Sequence, residues 1–203
     1  MPVSSAAGWR AGRPDLFVRY RRPVVQPRSR AWLAIPLMAF ALVSLTIGLV
    51  AHQRLGAGKP YFHLFFTDTI HMKVWLVTAA IVLALSQLLT ASRIYGLLHF
   101  PPPGRLYNIV HRWSGRTAIA LTLPVAYHCI FLLGFSTYST RVYIHSLLGS
   151  AIYGAFIGKV VIVRSSGFPG WALPLAGGTL FSILLGLWLS SALWFLSNRG
   201  IGL

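Results

Sequence analysis

Residues 31–53 read AWLAIPLMAFALVSLTIGLVAHQ, a run of 23 positions without a single Asp, Glu, Lys or Arg. A membrane-spanning α-helix needs roughly 20 such residues to cross a hydrocarbon layer about 30 Å thick. Further uncharged runs that approach or exceed this length lie at 74–92, 117–140, 142–158 and 165–198. The sequence therefore predicts five transmembrane helices.

The composition points to the same class of protein. The 203 residues are 56% hydrophobic and only 10% charged, with a mean hydropathy of +0.67. Lipid offers no hydrogen bonds to the backbone, so the spans must be helices or strands of a closed barrel, and these runs lack the alternation of barrel strands. We expect an all-α, polytopic membrane helical bundle over residues 31–203, preceded by a basic, flexible cytoplasmic tail at 1–30.

The charge is distributed unevenly along the chain. Its net value of +16 comes from 18 Lys and Arg against two acidic residues, Asp15 and Asp68. Thirteen basic residues, seven of them in the first 30 positions, fall on one side of the predicted topology. The positive-inside rule places that side, with the N-terminus, in the cytoplasm. We expect the protein to be a multi-pass protein of a bacterial plasma membrane. We expect anionic lipid headgroups, and no nucleic acid, as partners of the tail.

Few kinds of chemistry are open to this chain. It has no Glu, a lone cysteine (Cys129), no Gly-rich phosphate loop and no Ser-His-Asp set. Hydrolysis, phosphoryl transfer and thiol redox therefore lack their usual groups. A transporter role is also disfavoured, because the spans show no inverted repeat and hold no carboxylate for coupling.

Histidine is the remaining candidate for a functional side chain. His71, His128 and His145 lie at similar predicted depths, about 5–9 Å inside the outer ends of the second, third and fourth spans. Ionisable groups at such places are costly and usually functional. Histidine is an axial ligand of haem, and a helical bundle supplies an apolar slot for the macrocycle. A hydrogen-bonded structural cluster and a metal or proton path remain open alternatives.

Helix spacing narrows the choice of ligands. Consecutive antiparallel helices pack with axes about 8–10 Å apart, which leaves little room for a His–iron–His sandwich. The diagonal pair of an up-down bundle that carries histidine is spans two and four, so we predict His71 and His145 as axial ligands of one low-spin haem b. His128 is then a pocket-wall residue or a replacement ligand. Arg141, one turn before His145, is placed to meet a haem propionate.

Two short motifs resemble a known group of proteins. The stretch HRWSG, 111–115, resembles the His-x-Trp-x-Gly opening of a core helix in ascorbate-reducible transmembrane b-type cytochromes and the wider ferric-reductase-like group. Arg141-x-x-x-His145-x-x-x-Gly149 is similar to the start of the next helix. The resemblance covers about residues 67–165 and implies the same pairing of His71 with His145. The whole chain is also similar to a small actinobacterial family of polytopic membrane proteins.

Proteins of that group hold two haems, and this sequence departs from them at the second haem site. The partner of His111 would lie on the first span, which carries no histidine before His52 at its end. One haem is therefore expected, in a protein that passes electrons between a quinol or a partner redox subunit and an acceptor at the outer face. Such a protein can be the haem-bearing anchor subunit of a respiratory complex, without substrate chemistry of its own. The alternative is a cofactor-free membrane anchor or assembly subunit.

Overall fold

The structure is a computed structural model, and it describes residues 30–53, 58–98 and 104–199. A 3₁₀ turn, Arg30–Leu33, opens helix α1. The helices are α1, Ala34–Gln53; α2, Thr69–Ile94; α3, Arg105–Tyr127; α4, Thr140–Arg164; α5, Ala172–Trp188; and α6, Trp194–Arg199. Two π-helical segments, His128–Leu133 after α3 and Leu189–Leu193 between α5 and α6, prolong the third and fifth spans. The predicted tail, apart from Arg30, lies outside the described residues.

The prediction of five spans in an all-helical protein is confirmed. Five helical stretches are long and apolar enough to cross a membrane, and they are 34–53, 69–94, 105–133, 140–164 and 172–199. The described residues form helices, turns and loops without a β-strand. The chain is thus a polytopic membrane protein, and we call the end that carries Asp68 and Ser139 the outer end, following the charge distribution.

Side chains at the outer end define where α2 and α4 begin. Asp68 has extended backbone angles, and its carboxylate accepts hydrogen bonds from the backbone N–H groups of Ile70 and His71. Ser139 likewise accepts from the N–H of Val142. These are N-caps, which satisfy the donors that a first helical turn leaves open. They fix the registers of His71 and His145 within their helices.

The order of the helices differs from a simple sequential arrangement. Helix α2 packs against α3 and α5, whereas α4 packs against α1 and α5. The bundle therefore runs α3, α2, α5, α4, α1 around its perimeter. Helices α2 and α4 are not a closely packed pair, and α5 packs against both of them.

A strip of small residues explains why α1 joins α4. A Cβ atom on Gly154 would lie 2.5 Å from the carbonyl oxygen of Phe40, and one on Gly158 would lie 3.1 Å from that of Pro36. Such distances show that the two backbones approach closely, as small residues allow in membranes. The strip Ser150, Gly154 and Gly158 thus serves the packing of α4 on α1.

The core lies where α2, α4 and α5 meet. Its buried side chains are Val74, Val77, Ala80, Ile81, Ala84, Ile152, Ala155, Ile183, Leu184, Leu187 and Ala192. A hydrogen bond of 3.0 Å from the indole N–H of Trp188 to the hydroxyl of Thr78 also joins α5 to α2. This shared core fixes α2 and α4 on either side of the last span.

Candidate functional site

His71 is held by the residue that caps its own helix. Its Nδ1 lies 2.6 Å from Oδ2 of Asp68, while Oδ1 of Asp68 caps the helix. Hydrogen bonds from the backbone and side chain of His71 hold the pKa of the exposed Asp68 carboxyl below its ordinary value of 3.8. A carboxylate on Nδ1 fixes the orientation and tautomer of an imidazole and raises the basicity of Nε2, an arrangement common around metal-binding histidines.

His145 is held by a residue of the last span. Its Nδ1 lies 3.0 Å from the hydroxyl of Ser190, which itself donates to the carbonyl of Gly186. A serine hydroxyl that donates its proton to a carbonyl can accept one from the imidazole, so this bond assigns the Nδ1–H tautomer to His145. In that tautomer Nε2 carries the lone pair that can bind a metal.

Arg141 contacts the same part of the last span. Its guanidinium donates to the carbonyl of Ser190 at 2.6 Å and lies 3.9 Å from the ring centroid of Trp194. The cation–π contact and the hydrogen bond fix the guanidinium at the outer end, one helical turn from His145. The guanidinium that we predict to meet a haem propionate is thus engaged here by protein groups.

The two predicted ligands meet at one short segment. The ring of His71 packs edge-on to Phe195 with centroids 6.0 Å apart, and His145 bonds to Ser190. We call His71, His145, Ser190 and Phe195 the outer cluster. It joins α2 and α4 through the π-helical segment and α6, and π-helical segments are frequent at functional sites.

His128 is fully buried and serves a different purpose. Its Nδ1 donates to the carbonyl of Pro124 at 2.8 Å, and its Nε2 accepts from the backbone N–H of Phe62 at 3.3 Å. Tyr61 stacks on the ring at a centroid distance of 5.7 Å. Both ring nitrogens are hydrogen-bonded, so this histidine fastens the loop before α2 to the end of α3.

Replacing His128 with Leu should therefore destabilise the protein. The change leaves the Phe62 N–H without its acceptor and the Pro124 carbonyl without its donor. The free energy of unfolding should fall by about 1–3 kcal/mol. Thermal unfolding of the purified protein measures the effect. His52, exposed at the end of α1, provides the control, and equal melting temperatures for the His128→Leu and His52→Leu variants would contradict the role given to His128.

The HRWSG motif lies against α2 near the inner end. Nδ1 of His111 is 2.9 Å from the hydroxyl of Thr90, and the amide of Gln87 donates to the hydroxyl of Ser114 at 2.6 Å and to the carbonyl of His111. A Cβ atom on Gly115 would lie 2.9 Å from Oε1 of Gln87. The motif thus joins α3 to α2 through a polar network.

Sequence reasoning missed several of these partners. The Asp68–His71 pair could have been predicted from the sequence, because residues three apart at the start of a helix lie next to each other. Ser190 and Phe62 are 45 and 66 positions from their histidine partners, so no local pattern indicates them. Gln87 likewise reaches His111 across 24 positions.

The outer cluster brings two imidazoles, the donor type of a haem iron with two axial histidines, to one segment of the last span. Nδ1 of each histidine is already hydrogen-bonded, as ligating imidazoles require. The described residues hold no group of three or more His, Cys, Asp or Glu that could bind a metal ion, but haem needs only two axial ligands. The side chains of Ser190 and Phe195 lie directly against the two imidazoles.

These features define a five-span helical membrane protein with a histidine cluster at one end. Residues 30–203 match the family of unknown function DUF6529, and the chain belongs to this family. It is also similar to the "Probable potassium transport system protein Kup 1" of Chromobacterium violaceum, with 29% identity over 186 residues. That match covers 85% of the chain but 28% of Kup 1, so the chain spans less than a third of this relative. No solved structure matches the chain.

Proposed function

We propose that this protein is a membrane b-type cytochrome that holds one low-spin haem between α2 and α4 at the outer end. His71 and His145 would be its axial ligands. The observation that carries the proposal is the outer cluster, in which histidines from two non-adjacent helices meet the same short segment of the last span, each with Nδ1 already hydrogen-bonded.

The surrounding residues have distinct roles in this proposal. Asp68 orients the imidazole of His71 and makes it a stronger donor, and Ser190 does the same more weakly for His145. Arg141 supplies a positive charge one turn from His145, where it can exchange its contact with the Ser190 carbonyl for a propionate. His128 stabilises the wall of the site through the loop before α2.

Bound haem would supply a one-electron carrier, and the protein would supply its position and its potential. A one-electron carrier needs a separate electron donor and a separate acceptor. We propose a quinol or a partner redox subunit as the donor and an acceptor at the outer face of the plasma membrane. A haem-bearing anchor subunit of a respiratory complex fits this role.

A redox titration of the purified protein, followed in the visible range, tests the proposed function. We expect a reversible one-electron transition, and reduction of the haem by a water-soluble quinol when the protein is in liposomes. Protein that binds haem but lacks a reversible transition would contradict electron transfer. Reduction by dithionite but not by quinol would contradict the quinol as donor and leave the partner subunit.

The Asp68→Asn variant separates the charge of Asp68 from its capping role. Asn is as good an N-cap as Asp, so α2 should keep its start. Loss of the carboxylate behind His71 should lower haem affinity about 10- to 100-fold, as outer-shell substitutions commonly do. Titration of the haem-free protein with haemin measures this affinity. Unchanged affinity would mean that His71 is not a ligand.

A second candidate is the cofactor-free membrane anchor or assembly subunit. The packing of α5 between α2 and α4 favours it, because the outer cluster is already satisfied by protein contacts. The similarity to Kup 1 makes K⁺ transport across the membrane a further function to test. Growth of a K⁺-uptake-deficient bacterium on limiting K⁺ tests it, and rescue by this chain would contradict the cytochrome proposal as a complete account.

A further inference from the structure

A groove near the inner end of the bundle lies apart from the outer cluster. It has a volume of about 290 Å³ and opens between α1 and α5 over the surface of α4. Its lining is almost wholly apolar, and its residues are Leu33, Pro36, Leu37, Phe40, Ala155, Gly158, Lys159, Ile162, Trp171, Ala172, Leu175, Ala176 and Thr179. The groove lies where α1 and α5 both pack on α4.

Lys159 is the single charged residue of this lining. It is half-buried, and within residues 30–53, 58–98 and 104–199 it has no hydrogen bond or ion pair. An ammonium group without a counter-charge is costly in an apolar environment. The side chain can extend towards the inner interface, but its charge still attracts an anion there.

The protein has few carboxylates that could pair with Lys159. Its only acidic side chains are Asp15 and Asp68. Asp68 caps α2 at the outer end, whereas Lys159 is 19 residues along α4 from Thr140, roughly 28 Å further inward. The counter-charge of Lys159 must therefore come from another molecule or from the tail.

The position of Lys159 matches the headgroup level of the inner leaflet. It is five residues before Arg164, where α4 ends, which places its Cα about 7.5 Å inside the helix end. Trp171, at the mouth of the groove, belongs to a residue type that is enriched at membrane interfaces. A molecule in the groove would thus have its apolar part against α1 and α5 and its polar part beside Lys159.

We propose that the groove binds an anionic phospholipid of the inner leaflet, with an acyl chain along Leu37, Phe40 and Leu175 and the phosphate beside Lys159. Lysine is a common phosphate partner as a point charge. This site is independent of haem, because it lies at the opposite end of the bundle from the outer cluster.

Native mass spectrometry of the purified full chain with an equimolar mixture of phosphatidylglycerol and phosphatidylcholine tests the proposal. We expect the wild type to retain phosphatidylglycerol preferentially. Lys159→Met should lower this preference about fivefold, the value of one interfacial lysine. Ala176→Phe, which fills the groove without changing the charge, should lower retention of both lipids at this site.

Arg164→Met is the matched control, because it removes one positive charge from the same helix end outside the groove. Lys159→Arg keeps the charge and should keep the preference, which guards against a Met variant that fails to fold. Equal loss in Lys159→Met and Arg164→Met would indicate a general basic belt and overturn the proposal. If only the Asp15→Asn variant prefers phosphatidylglycerol, the carboxylate of Asp15 occupies the site beside Lys159 in the wild type. That result would also overturn the proposal.

Discussion

The His145→Ala variant is expected to lose its haem while keeping its fold. The proposed iron–nitrogen bond has no substitute on α4, because His145 is the only histidine of that helix. Removing the Ser190 contact costs about 1 kcal/mol, too little to unfold the bundle. The haem content per chain, measured after identical purification, should fall from about one to near zero, and His71→Ala should behave in the same way.

His52→Ala serves as the control for these variants, since His52 is exposed at the end of α1. It should retain the wild-type haem content. A protein that loses haem in His128→Ala but not in His71→Ala would contradict the ligand assignment. It would also require the bond between His128 and the Phe62 N–H to open when haem binds.

The Gly154→Ala variant is expected to destabilise the packing of α1 on α4. The new methyl group would lie 2.5 Å from the Phe40 carbonyl and would also clash with the hydroxyl of Ser44. Overpacking of this kind costs about 1–3 kcal/mol, because the backbones must separate. Thermal unfolding in detergent should show a lower midpoint than in the wild type.

Gly178→Ala is the matched control on the exposed face of α5, where an added Cβ would meet nothing within 4 Å. There the loss of glycine's backbone freedom should raise stability by about 0.4–1 kcal/mol. The two variants should therefore shift the midpoint in opposite directions. A stabilising Gly154→Ala change would show that α1 does not approach α4 at this position.

Local patterns in the sequence were sufficient for the number of spans, and they indicate where α2 and α4 begin. Long uncharged runs reveal membrane helices because lipid penalises every exposed charge, and Asp68 and Ser139 precede helices in the usual way for caps. The depths of His71 and His145 follow from these caps. The spacing of Ser150, Gly154 and Gly158 by four residues also indicates a close helix contact, though not that its partner is α1.

The order of the helices and the partners of the histidines could not be derived in the same way. Which helix packs on which depends on side-chain complementarity between distant segments, as with Gly154 and Phe40, 114 positions apart. His128 resembled His71 in depth, yet it differs because Phe62 bonds to it across 66 positions. The groove between α1 and α5 could not be derived either, because it depends on how these two helices pack on α4.

The most direct test of the haem proposal is the dithionite-reduced minus oxidised visible spectrum of protein purified from haem-replete cells, with a pyridine haemochrome assay for stoichiometry. We predict a low-spin b-type spectrum at about one haem per chain, bound through His71 and His145. A folded, colourless protein would contradict the cytochrome proposal and favour the cofactor-free anchor.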